Sequence, residues 1–147
     1  MLLRNWLYDQ GWLRSERFDV PVVSVGNLTV GGTGKTPHVE YLLRLVANKK
    51  AAVLSRGYRR KSKGFVLADE RATAETVGDE PFQYYLDFPE ATVAVCESRP
   101  SGIAQLLRLR PATEVVILDD AMQHRPVSPS LNLMLTDFGR PFYKDHV

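Results

Sequence analysis

At 147 residues, with 44% hydrophobic and 24% charged side chains, the chain has the size and composition of one folded domain, which excludes a disordered segment and a two-domain enzyme. No apolar run reaches the roughly 18 residues a membrane-spanning helix needs, no secretory pattern follows Met1, and the single cysteine, Cys96, can form neither an internal disulfide nor a spaced zinc site, so a reducing cytoplasmic setting is expected. The net charge of +2 is unevenly divided: residues 1–63 hold 12 Lys+Arg against 4 Asp+Glu and residues 64–147 hold 7 against 13, so the first part is expected to face something anionic, phosphates or a membrane surface.

Residues 2–8, LLRNWLY, gather Leu2, Leu3, Trp6 and Leu7 on one side of a helical wheel before Gly11 interrupts. This short amphipathic helix either packs on its own domain or contacts a membrane interface. VPVVSVG at 20–26 is β-branched and apolar and runs into the glycine-rich NLTVGGTGKTP at 27–37. Val39, Leu42, Leu43 and Val46 then recur at helical spacing, which predicts a helix over 38–47 with one buried face. Further strands are expected at Ala51 to Ser55, Phe65 to Ala68, Thr92 to Cys96, Glu114 to Leu118 and Leu131 to Leu135. Helices are expected from GDEP at 78–81 onward, with Asp79 able to cap, and from Pro100 to Arg108. Alternating strands and helices imply an α/β fold with three layers and a mostly parallel sheet, whose ligands bind at the carboxyl ends of the strands.

VGGTGKT at 30–36 ends in Gly-Lys-Thr at a strand-to-helix turn, the setting in which a phosphate-loop (P-loop) pattern has a mechanism. Glycine permits backbone N–H groups to converge on phosphate oxygens, Lys35 would reach the outer phosphates, and Thr36 would hold Mg²⁺. Thr29 stands where such loops usually have glycine, with Gly31 and Gly32 supplying flexibility. VVILDD at 115–120 is an apolar strand ending in carboxylates, so Asp119 or Asp120 is a candidate Mg²⁺ ligand. A solvated Asp pair at a turn is the plainer alternative. Val30 stands where partitioning ATPases carry a second lysine, and no Asn-Lys-x-Asp segment for guanine recognition occurs. Asp79 and Glu80 are candidates for the carboxylate that a hydroxyl-directed kinase needs, unless they only cap a helix. The loop at 56–64 holds Arg56, Arg59, Arg60, Lys61 and Lys63, either solvated or holding an anionic substrate. Nucleic acid is a weaker reading, no aromatic platform accompanying the charges. Gln123 and His124 follow the Asp pair, where a residue supporting Mg²⁺ or the γ-phosphate would stand.

Together, VGNLTVGGTGKTP at 25–37, SRGYRRKSKG at 55–64, VGDEP at 77–81 and LDDAMQHR at 118–125 resemble the tetraacyldisaccharide 4'-kinases of lipid A biosynthesis, in that family's order and at about its spacing. The resemblance implies a P-loop NTPase-like fold that transfers the ATP γ-phosphoryl group to the 4'-hydroxyl of a tetraacylated disaccharide 1-phosphate. The place implied is the cytoplasmic face of the inner membrane, with no nucleic-acid partner. Thr29, Val30, Gly31, Gly32, Thr33, Gly34, Lys35 and Thr36 would form the ATP loop, with Lys35 also catalytic. Thr36, Asp119 and Asp120 would hold Mg²⁺, and Asp79 would be the acid-base carboxylate. Arg56, Gln123 and His124 are candidate contacts to the anionic lipid. The implied layout is an amphipathic segment over 1–18 and a nucleotide-binding domain over 19–147. Two features depart from the family: Ala121 and Met122 replace its usual Gly-Leu or Gly-Phe, and its members are about twice as long. A truncated kinase is therefore expected, with a non-catalytic ATP-binding module and a nucleic-acid-associated ATPase as alternatives.

Overall fold

The computed structural model describes residues 15–27, 34–120 and 126–136, together with Trp6, Gln10 and Trp12. Its six strands are β1 (Val22–Asn27), β2 (Ala51–Ser55), β3 (Val66–Leu67), β4 (Thr92–Val95), β5 (Val115–Asp119) and β6 (Leu131–Leu135), forming one sheet in the order β3-β4-β2-β5-β1-β6. Every pairing between them is parallel except β3 with β4. The described helices are α1 (Lys35–Leu45), α2 (Ala74–Val77), α3 (Asp79–Asp87) and α4 (Arg99–Leu109).

Helices on both faces explain the strand composition. β2 and β5 are buried along their whole length, so both sides of each strand must be apolar and no alternation is visible in AAVLS or VVILD. On one face Val39 and Leu43 of α1 and Tyr84 of α3 pack on Val25, Val53, Val93 and Ile117. On the other, Ile103 and Leu106 of α4 pack on Leu54, Ala94, Val116 and Leu118, with Phe18, Val20 and Val127 closing that side. Each buried Val, Leu or Ile stabilises by about 1.5–3 kcal/mol relative to exposure. Edge strand β6 is less covered, with Leu131 and Met134 exposed.

Three local features differ from the sequence reading. α1 starts at Lys35, because Gly34 takes the left-handed conformation (φ +75°) as its N-cap, which glycine adopts without strain. The short α2 is nucleated by a reciprocal cap: Thr73 Oγ1 accepts from the Thr76 N–H, and Thr76 Oγ1 accepts from the Thr73 N–H. Asp79 is not a cap: it is the first helical residue of α3, its side chain makes no capping bond, and Gly78 is the N-cap. Its carboxylate thus stays exposed at the helix's positive end.

Gly78 joins α2 to α3 at φ +95°, ψ 158°, a region open almost only to glycine. A Cβ there would also lie 3.1 Å from the Tyr58 carbonyl oxygen and 3.2 Å from Gly57. Gly78→Ala is expected to cost about 1–3 kcal/mol. Denaturant unfolding checks this, and a wild-type midpoint would show that the α2–α3 corner relaxes freely.

Candidate active site

The sheet order puts the carboxyl ends of β1, β2 and β5 side by side, with Val25 of β1 in register with Asp119 of β5. From the start of α1, the Lys35 ammonium donates to Asn27 Oδ1 at 3.1 Å and pairs with Asp120 Oδ1 at 3.3 Å. Asp120 reaches it through a left-handed backbone (φ 53°) that turns the chain off β5, a conformation Asp tolerates better than most residues. One lysine therefore bridges the two adjacent strand ends named in the sequence reading.

Asp119 faces α1 and α3 and is only 2% exposed. Its Oδ2 accepts a hydrogen bond from the Ser55 hydroxyl at 3.3 Å. Burial, then the charges of Glu80 and Asp120, push its carboxyl up to about 6, against the opposing pull of Arg99 and Ser55. A buried carboxylate with so little compensation fits a place that receives a cation. Among the described residues no three carboxylate, imidazole or thiol groups form a metal cage of their own. Mg²⁺ commonly takes one or two carboxylates together with substrate phosphates and water. Asp119, Asp120 and Thr36, the second residue of α1, are the described groups that would hold it.

Arg99 was not singled out from the sequence. It is 1% exposed at the first position of α4, where its guanidinium donates to the Cys96 carbonyl at 3.0 Å and the Asp119 carbonyl at 2.6 Å. Burial lowers its pKa to about 10, so it remains a cation at neutral pH and ties the end of β4 to the end of β5. A basic residue in a helix's first turn opposes the helix dipole, and that was the available signal.

Asp79 and Glu80 are exposed at the start of α3, and Glu80 is near enough to Asp119 to raise its pKa. Arg56, exposed just after β2, acts on Arg99 from the same side of the sheet. The basic loop is more committed to its own structure than its composition suggests. Arg60, whose side chain is 3% exposed, donates to Ser62 Oγ, the Gly64 carbonyl and Glu97. Lys61 pairs with Glu75 at 2.7 Å. Arg56, Arg59 and Lys63 are left exposed, with Arg59 over the ring of Tyr58, an exposed aromatic that the sequence reading passed over. Thr29, Val30, Gly31, Gly32, Thr33, Gln123 and His124 lie outside the described residues, as does most of the amphipathic segment.

Known proteins share this sequence and fold. The family model LpxK, tetraacyldisaccharide-1-P 4'-kinase, matches residues 1–147. A tetraacyldisaccharide 4'-kinase of Flavobacterium johnsoniae is 57% identical over 137 residues, covering 92% of this chain and 40% of that protein. Another, from Bacteroides thetaiotaomicron, is 56% identical over 145 residues, covering 97% of this chain and 38% of the relative. The chain thus spans about two fifths of the length of these relatives. A crystal structure of LpxK from Aquifex aeolicus in complex with ATP superimposes with a TM-score of 0.83 at 43% identity, over 90% of this chain and 43% of that one. A P-loop-type α/β sheet with Lys35 between Asn27 and Asp120, and a match along its whole length, place this chain in the tetraacyldisaccharide 4'-kinase family.

Proposed function

We propose that the chain is the nucleotide-binding portion of a kinase that moves the γ-phosphoryl group of ATP to the 4'-hydroxyl of a tetraacyldisaccharide 1-phosphate in lipid A biosynthesis. The observation that carries this reading is the convergence of Lys35, Asn27, Asp120 and the buried Asp119 at the ends of two adjacent strands. Residues 29–36 are the proposed phosphate loop, from which Lys35 leaves Asn27 and Asp120 to neutralise the outer phosphates. Mg²⁺, when bound at Thr36, Asp119 and Asp120, supplies further charge neutralisation at the phosphate oxygens. Asp79, exposed at the first turn of α3, accepts the proton of the sugar hydroxyl as its oxygen bonds to the γ-phosphorus and the bond to ADP breaks. Arg56, exposed just after β2, is proposed to meet the anionic lipid, and Gln123 and His124, outside the described residues, are proposed as further contacts to it.

The amphipathic segment over 1–18 is read as a peripheral contact with the cytoplasmic face of the inner membrane, leading into a nucleotide-binding domain over 19–147 whose core Phe18 already joins. The exposed Trp6 and Trp12 and the basic first part of the chain support that reading. No helix among the described residues is long and apolar enough to cross a membrane. A second reading is an ATP-binding module without transfer activity of its own, for which the groups at the strand ends, Lys35, Asp119 and Asp120, would suffice.

Transfer of labelled γ-phosphate to the lipid disaccharide separates the two. Product formed by the chain establishes the kinase, whereas ATP binding without product favours the module. Where transfer occurs, Asp79→Ala is expected to lower turnover by about a hundredfold or more with ATP affinity nearly unchanged. Loss of affinity with turnover retained would reduce Asp79 to a structural residue.

A further inference from the structure

Tyr84 is a fully buried residue whose hydroxyl core packing does not require. Its ring sits against Val25, Val39, Val53 and Ile117 beneath α1, a place phenylalanine would fill equally well. Helical side chains lean toward the helix N-terminus, and Tyr84 lies one turn after Glu80 on the same face of α3. The phenol accordingly points to the carboxyl end of the sheet, where Thr36, Asp119, Glu80 and Glu40 are its polar neighbours. Tyr84 packs with Val39, one turn after Thr36 on α1, and with Ile117, two residues before Asp119 on the same side of β5, and its buried hydroxyl completes no hydrogen bond among the described residues. A phenol hydroxyl can both donate and accept.

A threonine hydroxyl has one proton and two lone pairs. If its oxygen is to face a cation, the proton must be directed elsewhere. We propose that Tyr84 is a positioning residue for Thr36: its phenol oxygen accepts the Thr36 proton while its own proton is directed at the Asp119 carboxylate, which turns the Thr36 oxygen toward the Mg²⁺ of Mg·ATP. The inference rests on the Mg·ATP reading above and adds a residue of the core face to it. Tyr84 touches neither nucleotide nor substrate and acts only through Thr36 and Asp119.

The test is Tyr84→Phe in the full chain, with ATP affinity measured by calorimetry in Mg²⁺ and again in EDTA, and the thermal midpoint recorded beside it. The expected result is unchanged affinity for ATP in EDTA, a loss of about tenfold in the tightening that Mg²⁺ confers, and an equal or higher midpoint. In a Thr36→Val background, Tyr84→Phe should then have no further effect. Wild-type Mg²⁺ tightening with a raised midpoint would overturn the proposal, leaving a buried hydroxyl with no task. An equal loss with and without Mg²⁺, or a lowered midpoint, would also overturn it by making Tyr84 a packing residue. A wild-type chain in which Mg²⁺ confers no tightening would reject the Mg·ATP reading itself, and the proposal with it.

Discussion

Replacing Lys35 by alanine is expected to remove nucleotide binding and leave the fold in place. The ammonium bridges Asn27 and Asp120, at the strand ends where the phosphates would lie. Hydrogen bonds to charged groups contribute about 1.5–3 kcal/mol each, so the loss of two corresponds to an ATP affinity lower by at least a hundredfold or so. The fold should hardly notice. The Asp120 partner is largely exposed, and such pairs add roughly 0–1 kcal/mol to stability. Calorimetric titration with ATP alongside thermal unfolding reads both quantities. Wild-type affinity in the variant would sink the phosphate-loop assignment, and a collapsed midpoint would make Lys35 a structural strut. Arginine should not rescue the site, because a planar fork does not replace a compact point charge at the end of a flexible stem.

Asp119→Asn should act in the opposite sense on stability. With its carboxyl raised from 3.8 to about 6 in the folded chain, the native state binds more protons than the unfolded state between those pH values. Stability without metal or nucleotide therefore falls as pH rises through that window and levels off above it. The shift corresponds to a loss on the order of 1–3 kcal/mol for this one group. Asparagine keeps the shape and an acceptor for the Ser55 hydroxyl but carries no charge. In EDTA at pH 7.5 the variant is expected to be more stable than wild type by a similar amount, with a flatter profile between pH 4 and 7. The same variant should lose the tightening of ATP by Mg²⁺. A variant less stable than wild type at pH 7.5 would mean that Arg99 and Ser55 already compensate the buried charge.

Much of this candidate site is proposed from the sequence alone, for a physical reason. A P-loop concentrates its chemistry in contiguous residues, so glycine, lysine and threonine at a strand-to-helix turn, and an apolar strand ending in Asp119 and Asp120, carry their meaning locally. Strand positions were equally clear where both faces are buried, as in Ala51 to Ser55 and Val115 to Leu118. What escaped was assembled across the chain. Arg99 gains its role from a carbonyl twenty residues away, Arg60 from Glu97 thirty-seven residues on, and Tyr84 from a sheet end that its helical periodicity alone does not reveal. Asp79 was read as a possible cap because a carboxylate before a helix commonly is one, whereas the positive φ of Gly78 carries out that turn. The charge split likewise means less than its size suggests, since Arg60 and Lys61 are matched by Glu97 and Glu75.

The pairing of β1 also bears on how the site comes into being. β1 begins at Val22, yet its neighbours are β5 and β6, whose partner residues for Val22 and Val23 are Val116 and Leu131. β1, the first of the described strands, has no sheet neighbour until more than ninety further residues exist. Such long-range parallel pairing makes folding slow compared with helical domains. On a ribosome adding roughly 5–20 residues per second, β1 waits for seconds with its apolar side chains exposed. Lys35 can meet Asp120, and β1 can gain both its neighbours, only after residues 115–135 have been made, so the candidate site is assembled by pairing across the chain rather than by its own loop.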